Sequence, residues 1–182
     1  ALGLHYTENN KQIKSGNLLL IDAACEYNHY TADITRTYPV DGKFSREQAT
    51  LYDLVLYAQQ SAIEVIKPNT PYKLIHDTAV SCLVAGLIDL NILTGSLEDN
   101  ILKQTYKRFY PHSTGHWLGL DVHDVGNYTQ GNSSTLLSFN MLLTVEPGLY
   151  IYPDNQVDEK WHNIGIRIED DVLVSSVGHE VL

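Results

Sequence analysis

The sequence predicts an α+β domain in which helices pack against a mainly antiparallel sheet. Its predicted elements follow the order strands, helices, strands, which is typical of this fold class. Strand patterns return in the second half, for example over residues 165–169, where apolar and charged side chains alternate. With 182 residues, of which 43% are hydrophobic, the chain is long enough to bury a sizeable core.

The first predicted strands carry two aspartates towards each other. Residues 18–21 form an apolar run that ends at Asp22, and residues 27–38 are rich in Tyr and Thr, as strands are. We expect Asp22 and Asp33 to lie on these neighbouring strands and to face each other across a turn.

Three helices are predicted in the middle of the chain. Ser45 and Gln48 match a capping box, and the helix that they begin has apolar residues at helical spacing. A second helix begins with Pro71 as its first residue, where a missing N–H is tolerated. Ser96 caps a third, shorter helix that ends near Phe109.

Two later strands bring further charged residues into the sheet. Residues 142–146 form an apolar run that ends at Glu146, and in residues 165–169 the alternation places Arg167 and Glu169 on one face. An inward-facing charge on a strand is costly unless it is paired or bound to a metal. These glutamates are therefore candidate metal ligands, while an ordinary strand-end carboxylate or a salt-bridge partner is the alternative for each one taken alone.

A glycine-rich segment between these strands, residues 109–126, contains three histidines, His112, His116 and His123. Histidine is the commonest metal ligand and a usual acid–base group near neutral pH. A zincin motif is excluded, because Ser113 stands where that motif needs glutamate. Several carboxylates with one imidazole favour Mn, Co, Fe or Zn over a structural zinc site, which would require cysteines. The pattern predicts a two-metal hydrolase centre.

Six short segments resemble, in the same order, the metal-binding segments of the pita-bread-fold metallopeptidases (family M24), and most closely those of bacterial-type Xaa-Pro aminopeptidase (aminopeptidase P). They are Ile21-Asp22-Ala23, Asp33-Ile34-Thr35-Arg36-Thr37, His116-Trp117-Leu118-Gly119, Asp121-Val122-His123-Asp124-Val125-Gly126, Val145-Glu146-Pro147-Gly148 and Gly165-Ile166-Arg167-Ile168-Glu169-Asp170. The resemblance implies a pita-bread fold, with a curved, mainly antiparallel sheet backed by helices. It also implies that residues 1–182 are a catalytic domain truncated at its N-terminus, with a separate N-terminal domain and the start of the catalytic domain absent.

The resemblance implies a dinuclear site with five protein ligands. Asp22 would bind one metal, and Asp33 and Glu169 would bridge both. His116 and Glu146 would bind the second metal, and Glu146 would also move the proton of the attacking water. The expected cofactors are two divalent ions, Mn first, with Co, Zn or Fe as alternatives.

Four further residues are expected around the substrate by the same resemblance. His5 and His123 would be catalytic and would contact the substrate, and His123 would stabilise the tetrahedral intermediate. His112 would be a further substrate-binding histidine, and Arg167 would support the catalytic site.

The expected function is metal-dependent hydrolysis of an N-terminal Xaa-Pro peptide bond, so the substrates are peptides with proline at the second position. Two alternatives stay open. One is a prolidase, which cleaves Xaa-Pro dipeptides, and the other is a catalytically silent pita-bread domain that binds peptides.

Composition argues against other partners. The net charge of −10 is unsuited to nucleic acid, which requires a basic face, and no long uncharged apolar run predicts a membrane span. Cys25 and Cys82 form no CxxC pair and fit reduced thiols. We therefore expect a cytoplasmic protein. Separately, we expect the full-length form to be a homo-oligomer.

Overall fold

The computed structural model describes residues 2–182 and contains three helices and eleven strands within that range. In chain order these are β1 Leu18–Asp22, β2 Glu26–Tyr27, β3 Tyr30–Thr31, β4 Thr35–Pro39, α1 Arg46–Glu64, α2 Tyr72–Asp89, α3 Leu97–Leu102, β5 Thr129–Gln130, β6 Ser133–Ser134, β7 Leu142–Val145, β8 Gly148–Ile151, β9 Ile164–Arg167, β10 Asp170–Val174 and β11 His179–Val181. Short 3-10 helices lie at Thr105–Arg108 and Glu159–Trp161.

Capping explains where α1 begins. The Gln48 N–H donates to Ser45 Oγ at 3.2 Å, and the Ser45 N–H donates to Gln48 Oε1 at 2.9 Å, so the predicted capping box is confirmed. Buried side chains recur along α1 at helical spacing, and this face packs against α2 and the strands.

The capping box carries a stability prediction. Ser45→Ala removes the acceptor for the Gln48 N–H and should lower the free energy of unfolding by about 1 kcal/mol. Ser45→Asp keeps an acceptor at the same position and should stay close to wild type. Urea denaturation of the three proteins checks this, and an alanine variant as stable as wild type would contradict it.

The other two helices depart slightly from their predicted limits. Pro71 is the N-cap of α2 and not its first helical residue, although its missing N–H is harmless there as well. Ser96 caps α3 as predicted, but α3 ends at Leu102 and not near Phe109. The backbone of Gln104 is left-handed, with φ of +54°, and this ends the helix before the 3-10 turn.

The first strands are more broken than predicted. The single strand expected over residues 27–38 is wrong, because β2 and β3 form a separate hairpin. Asn28 and His29 turn this hairpin with φ of +51° and +71°, which a continuous strand does not allow. Asp33 consequently lies in the connection between β3 and β4, while β1 and β4 pair antiparallel as expected.

The second half contains the expected strands and additional short ones. β8 pairs with β9, and β10 pairs with both β7 and β11, so β10 returns beside β7. β7 ends at Val145, one residue before the predicted strand end at Glu146, and Glu169 lies between β9 and β10 and not inside a strand as predicted. All strand pairs within residues 2–182 are antiparallel, divided among five small sheets.

Two buried clusters join the helices to the strands and confirm the predicted α+β class. The larger cluster packs α1, α2 and the segment after α3 against β8 and β9. The smaller one packs the end of α1 and the start of α2 against β7 and β10. Packing therefore fixes the strands that surround the candidate ligands. None of the helices within residues 2–182 has both the length and the apolar composition needed to cross a membrane.

Candidate functional site

A cavity of about 590 Å³ contains all nine residues predicted for the site in its wall. These are His5, Asp22, Asp33, His112, His116, His123, Glu146, Arg167 and Glu169. Sequence reasoning missed the other residues of the wall, which are Leu4, Tyr72, Ser113, Gly115 and Tyr128.

The β1–β4 pair and its connections place the two aspartates. Asp22 is the last residue of β1, and just beyond it the Ala23 N–H donates to the Ile34 carbonyl at 3.1 Å. The Asp33 N–H donates to Asp171 Oδ2 at 3.1 Å, which fixes the backbone of the irregular connection. Hydrogen bonds from the backbone at or next to each aspartate therefore help to hold both carboxylates at the cavity.

The histidine segment lies against β7 because its backbone bonds to that strand. The His116 N–H donates to Thr144 Oγ1 at 3.1 Å, and the Glu146 N–H donates to the Thr114 carbonyl at 2.7 Å. Gly115 is required at this approach, since a Cβ there would lie 1.9 Å from the Thr144 carbonyl oxygen. The close contact brings the His116 ring beside Glu146.

The hydrogen bonds of His116 leave one ring nitrogen facing the carboxylates. Its Nδ1 lies 3.0 Å from the Trp117 carbonyl oxygen, which can only accept a hydrogen bond. Its Nε2 lies 3.4 Å from Asp33 Oδ2 and 3.6 Å from Glu146 Oε1. An imidazole held through Nδ1–H to a carbonyl, with Nε2 free, has the arrangement of a metal ligand.

Three of the five predicted ligands form a compact group. One ligand atom from each of Asp33, His116 and Glu169 lies within 4.8 Å of the others. Glu146 contacts this group through His116, and Asp22 lies in the wall of the same cavity. The arrangement places every predicted ligand around one space, with the two predicted bridging carboxylates in the compact group.

Burial raises the pKa values of two carboxyl groups at the site. The pKa of Glu146 rises to about 7 and that of Glu169 to about 8, because burial disfavours the charged form and neighbouring carboxylates add to it. Burial acts on Asp33 in the same direction, but hydrogen bonds with His116 and Asp22 outweigh it and lower the pKa. The site therefore disfavours the charged forms of Glu146 and Glu169.

His116 and His112 respond oppositely to this environment. Burial opposes the charged form of His116, but its contacts with Asp33 and the Trp117 carbonyl raise its pKa to about 9. Asp33 therefore favours the charged form of His116. Burial lowers the pKa of His112 to about 4, so that ring is neutral near pH 7.

Arg167 is buried and connects several site residues. Its Nη2 donates to Asp22 Oδ2 at 2.6 Å, and its Nη1 donates to the Tyr150 hydroxyl at 3.0 Å. The same hydroxyl lies 3.0 Å from His112 Nε2. Tyr150 was not predicted from the sequence, although a tyrosine in a fully buried strand usually needs a hydrogen-bond partner for its hydroxyl.

His123 and His5 complete the predicted set. The His123 ring lies edge-on to the His116 ring, with 4.4 Å between the centroids, and His5 lies in the wall beside Leu4. Two further polar residues, Thr35 and Asp171, are buried beside the carboxylates. Thr35 lies two positions after Asp33, and Asp171 lies two positions after Glu169. This spacing of two, which places strand residues on one face, is the sequence signal that could have identified them.

The donor set suits divalent cations. Metal binding requires ionised carboxylates and neutral histidines; in that state the four carboxylates and one guanidinium of the cavity wall leave three negative charges uncompensated, and buried Asp171 behind Asp33 adds a fourth. Two divalent cations would carry the four compensating charges. Carboxylate oxygens with one imidazole nitrogen match the preferences of Mn and related ions.

Comparisons with known proteins agree with this site. The sequence model of metallopeptidase family M24 matches residues 1–176. Xaa-Pro aminopeptidases of Haemophilus influenzae and Escherichia coli are 49% and 47% identical to the chain over 179 residues, which is 98% of this chain and 41% and 40% of theirs. The chain therefore spans about two fifths of the length of these relatives.

Solved structures are similar over the same range. The Pseudomonas aeruginosa aminopeptidase PepP has a TM-score of 0.96 and 50% identity, covering 98% of this chain and 40% of that one. Proline aminopeptidase P II from Yersinia pestis has a TM-score of 0.94 and 46% identity, covering 99% and 41%. These similarities confirm the predicted pita-bread fold.

Proposed function

Because the chain belongs to metallopeptidase family M24, we propose that it supplies the metal-holding part of an aminopeptidase that cleaves N-terminal Xaa-Pro bonds. The observation that carries this proposal is the meeting of all nine predicted site residues in one cavity. Relatives named Xaa-Pro aminopeptidase support the substrate class. We propose residues 1–182 as part of the catalytic domain, and the activity as that of the full-length protein.

Two divalent cations are the proposed cofactors, with Mn as the first choice. The four uncompensated charges described above support two ions. Asp33 and Glu169 are proposed as bridging ligands, Asp22 as a ligand of one ion, and His116 with Glu146 as ligands of the other. When bound, such ions supply a nucleophile from water at neutral pH and polarise the carbonyl of the scissile bond.

Glu146 is the proposed acid–base group of the reaction. Its carboxylate is mostly buried, and burial raises its pKa to about 7, near the range in which a group exchanges protons efficiently at neutral pH. Oε2 of Glu146 lies 4.0 Å from His112 Nδ1, while its other oxygen, Oε1, lies 3.6 Å from His116 Nε2. We propose that Glu146 takes the proton of the attacking water and delivers it to the leaving amine.

The remaining histidines and Arg167 have proposed roles around the substrate. His123, in the wall next to His116, would donate to the oxyanion that develops on the scissile carbonyl. His5 and His112, which lie in the wall of the same cavity, would contact the peptide. Arg167 would keep Asp22 in place through its 2.6 Å contact.

Substrate choice is the direct test of the proposal. Proline has no N–H and a fixed φ, so a site built for it recognises the ring and the tertiary amide. We expect the full-length protein with Mn to cleave Xaa-Pro-Xaa tripeptides and to cleave the matched Xaa-Ala-Xaa peptides poorly. Chromatographic product analysis at equal substrate concentration measures both rates.

The same assay separates the alternatives. Equal rates on the Pro and Ala peptides would indicate a general aminopeptidase and contradict the proposed specificity. Cleavage of Xaa-Pro dipeptides alone would indicate a prolidase. Metal binding without turnover of any peptide would indicate the silent peptide-binding domain.

We also propose a cytoplasmic location and a homo-oligomeric full-length protein. Both cysteines are unpaired and Cys25 is exposed, as is usual in a reducing compartment. Tyr27 and Tyr30 are 76% and 63% exposed on the β2–β3 hairpin, which offers apolar surface for association. Light scattering of the purified protein measures the assembly.

A further inference from the structure

Thr35, at the start of β4, is fully buried beside the proposed metal site. Its hydroxyl lies 2.6 Å from Glu169 Oε2 and 3.3 Å from Arg167 Nε. The Arg167 nitrogen can only donate, so the hydroxyl accepts from it and must give its own proton to Glu169. The Thr35 carbonyl also accepts from the Glu169 N–H at 3.1 Å.

These bonds connect two proposed ligands that are far apart in the sequence, Asp22 at the end of β1 and Glu169 between β9 and β10. Thr35 gives the one side-chain hydrogen bond that the described residues make to the Glu169 carboxylate. Arg167, which donates to Thr35, also donates to Asp22. Without the hydroxyl, Glu169 would lose the contact that sets the rotation of its carboxylate, and Arg167 would lose one of the contacts that aim it at Asp22.

We propose that Thr35 is a positioning residue for the metal centre, whose hydroxyl orients Glu169 and couples it through Arg167 to Asp22. This inference rests on the proposed function, because it assumes that Glu169 and Asp22 bind metal. Hydrogen-bonded partners of metal ligands typically account for about 10-fold to 100-fold in metal affinity. The effect should therefore appear in metal binding itself and not only in activity.

Thr37 provides a matched control on the same strand. It lies two residues further along, so it shares the face of Thr35, and it is 2% exposed. Its hydroxyl donates to the Arg167 carbonyl at 3.0 Å and accepts from the Arg167 N–H at 3.2 Å. Thr37 thus joins β4 to β9 through backbone groups and, among the described residues, bonds to no carboxylate.

The experiment measures Mn affinity by equilibrium dialysis, and Mn coordination by electron paramagnetic resonance, in four forms of the protein. These are wild type, Thr35→Val, Thr35→Ser and Thr37→Val. Thr35→Val keeps the shape but lacks the hydroxyl, and it should bind Mn about 10-fold to 100-fold more weakly with an altered spectrum. Thr35→Ser should restore most of the affinity, and Thr37→Val should keep wild-type affinity. Circular dichroism without metal verifies that each variant is folded.

The outcomes distinguish this inference from the proposed function. Wild-type protein that binds no Mn would overturn both. Wild-type binding with an unaffected Thr35→Val variant, or an equal loss in Thr37→Val, would overturn the positioning role alone. Failure of Thr35→Ser to restore binding would also count against the hydroxyl, even if Thr35→Val failed to fold.

Discussion

Asp33→Asn should weaken Mn binding by at least ~10²-fold, because it removes one negative charge and one proposed bridging ligand from the site. The asparagine amide has nearly the size of the carboxylate, so the shape of the cavity is kept. It offers one neutral carbonyl oxygen, which bridges two cations poorly. The 3.4 Å contact from Asp33 Oδ2 to His116 Nε2 would lose its charge as well.

Metal analysis after dialysis against Mn measures this loss directly, and anomalous scattering from soaked crystals counts the ions. Asp53→Asn changes the same group on the exposed surface of α1 and should leave binding unchanged. If Asp33→Asn retained two ions with wild-type affinity, the assignment of Asp33 as a bridging ligand would be wrong.

Thermal unfolding offers a second measurement of the same effect. A ligand at 100 times its dissociation constant stabilises the folded state by about 2.7 kcal/mol. Mn should therefore raise the melting temperature of the wild type, and the same Mn concentration should have little effect on Asp33→Asn. The shift in melting temperature therefore tests the proposed metal site independently of the count of ions.

Glu146→Gln should lower kcat by at least ~10²-fold, the usual contribution of general acid–base catalysis. Glutamine keeps the size of the side chain and one oxygen that could contact a metal, but it cannot take a proton from water. Steady-state kinetics on an Xaa-Pro-Xaa peptide measure the change in the full-length protein. Glu64→Gln, at an exposed position of α1, is the matched control and should keep wild-type kcat.

Metal content must be measured on the same Glu146→Gln preparation, because Glu146 has two proposed roles. A variant that keeps both ions and loses turnover would support the proton-transfer role. A variant that loses an ion would support the role of Glu146 as a metal ligand, and its loss of turnover would then not test the proton-transfer role. Wild-type kcat with full metal content would remove Glu146 from the mechanism.

The sequence alone was sufficient for the parts of the protein that depend on local chemistry. The capping box at Ser45 and Gln48 is a contact between neighbours in the chain, so its residue types identify it. The apolar runs before Asp22 and Glu146 predicted strands that deliver carboxylates to their ends, and β1 and β7 do so. The short segments around the candidate ligands predicted the family, and the comparisons confirm it.

Local sequence patterns predicted strands that were too long in two places, where the backbone leaves the extended conformation although the composition favours a strand. Tyr and Thr over residues 27–38 favoured one strand, but positive φ at Asn28 and His29 turns the chain into a hairpin. The alternation over residues 165–169 predicted that Glu169 lies in a strand, whereas β9 ends at Arg167. In both places the side chains still reach the site, because a short irregular connection can aim a carboxylate as well as a strand does.

Only the tertiary structure decided which atoms meet. The bond from Thr35 to Glu169 joins residues 134 positions apart, and it exists because β4 and β9 are packed side by side. No local pattern encodes such a distance, since it follows from how the helices and strands bury their apolar faces. The sequence by itself determined which ligand types the chain carries. Packing determined that they share one cavity, that His116 turns Nε2 towards Asp33, and that the buried Thr35 hydroxyl bonds to Glu169.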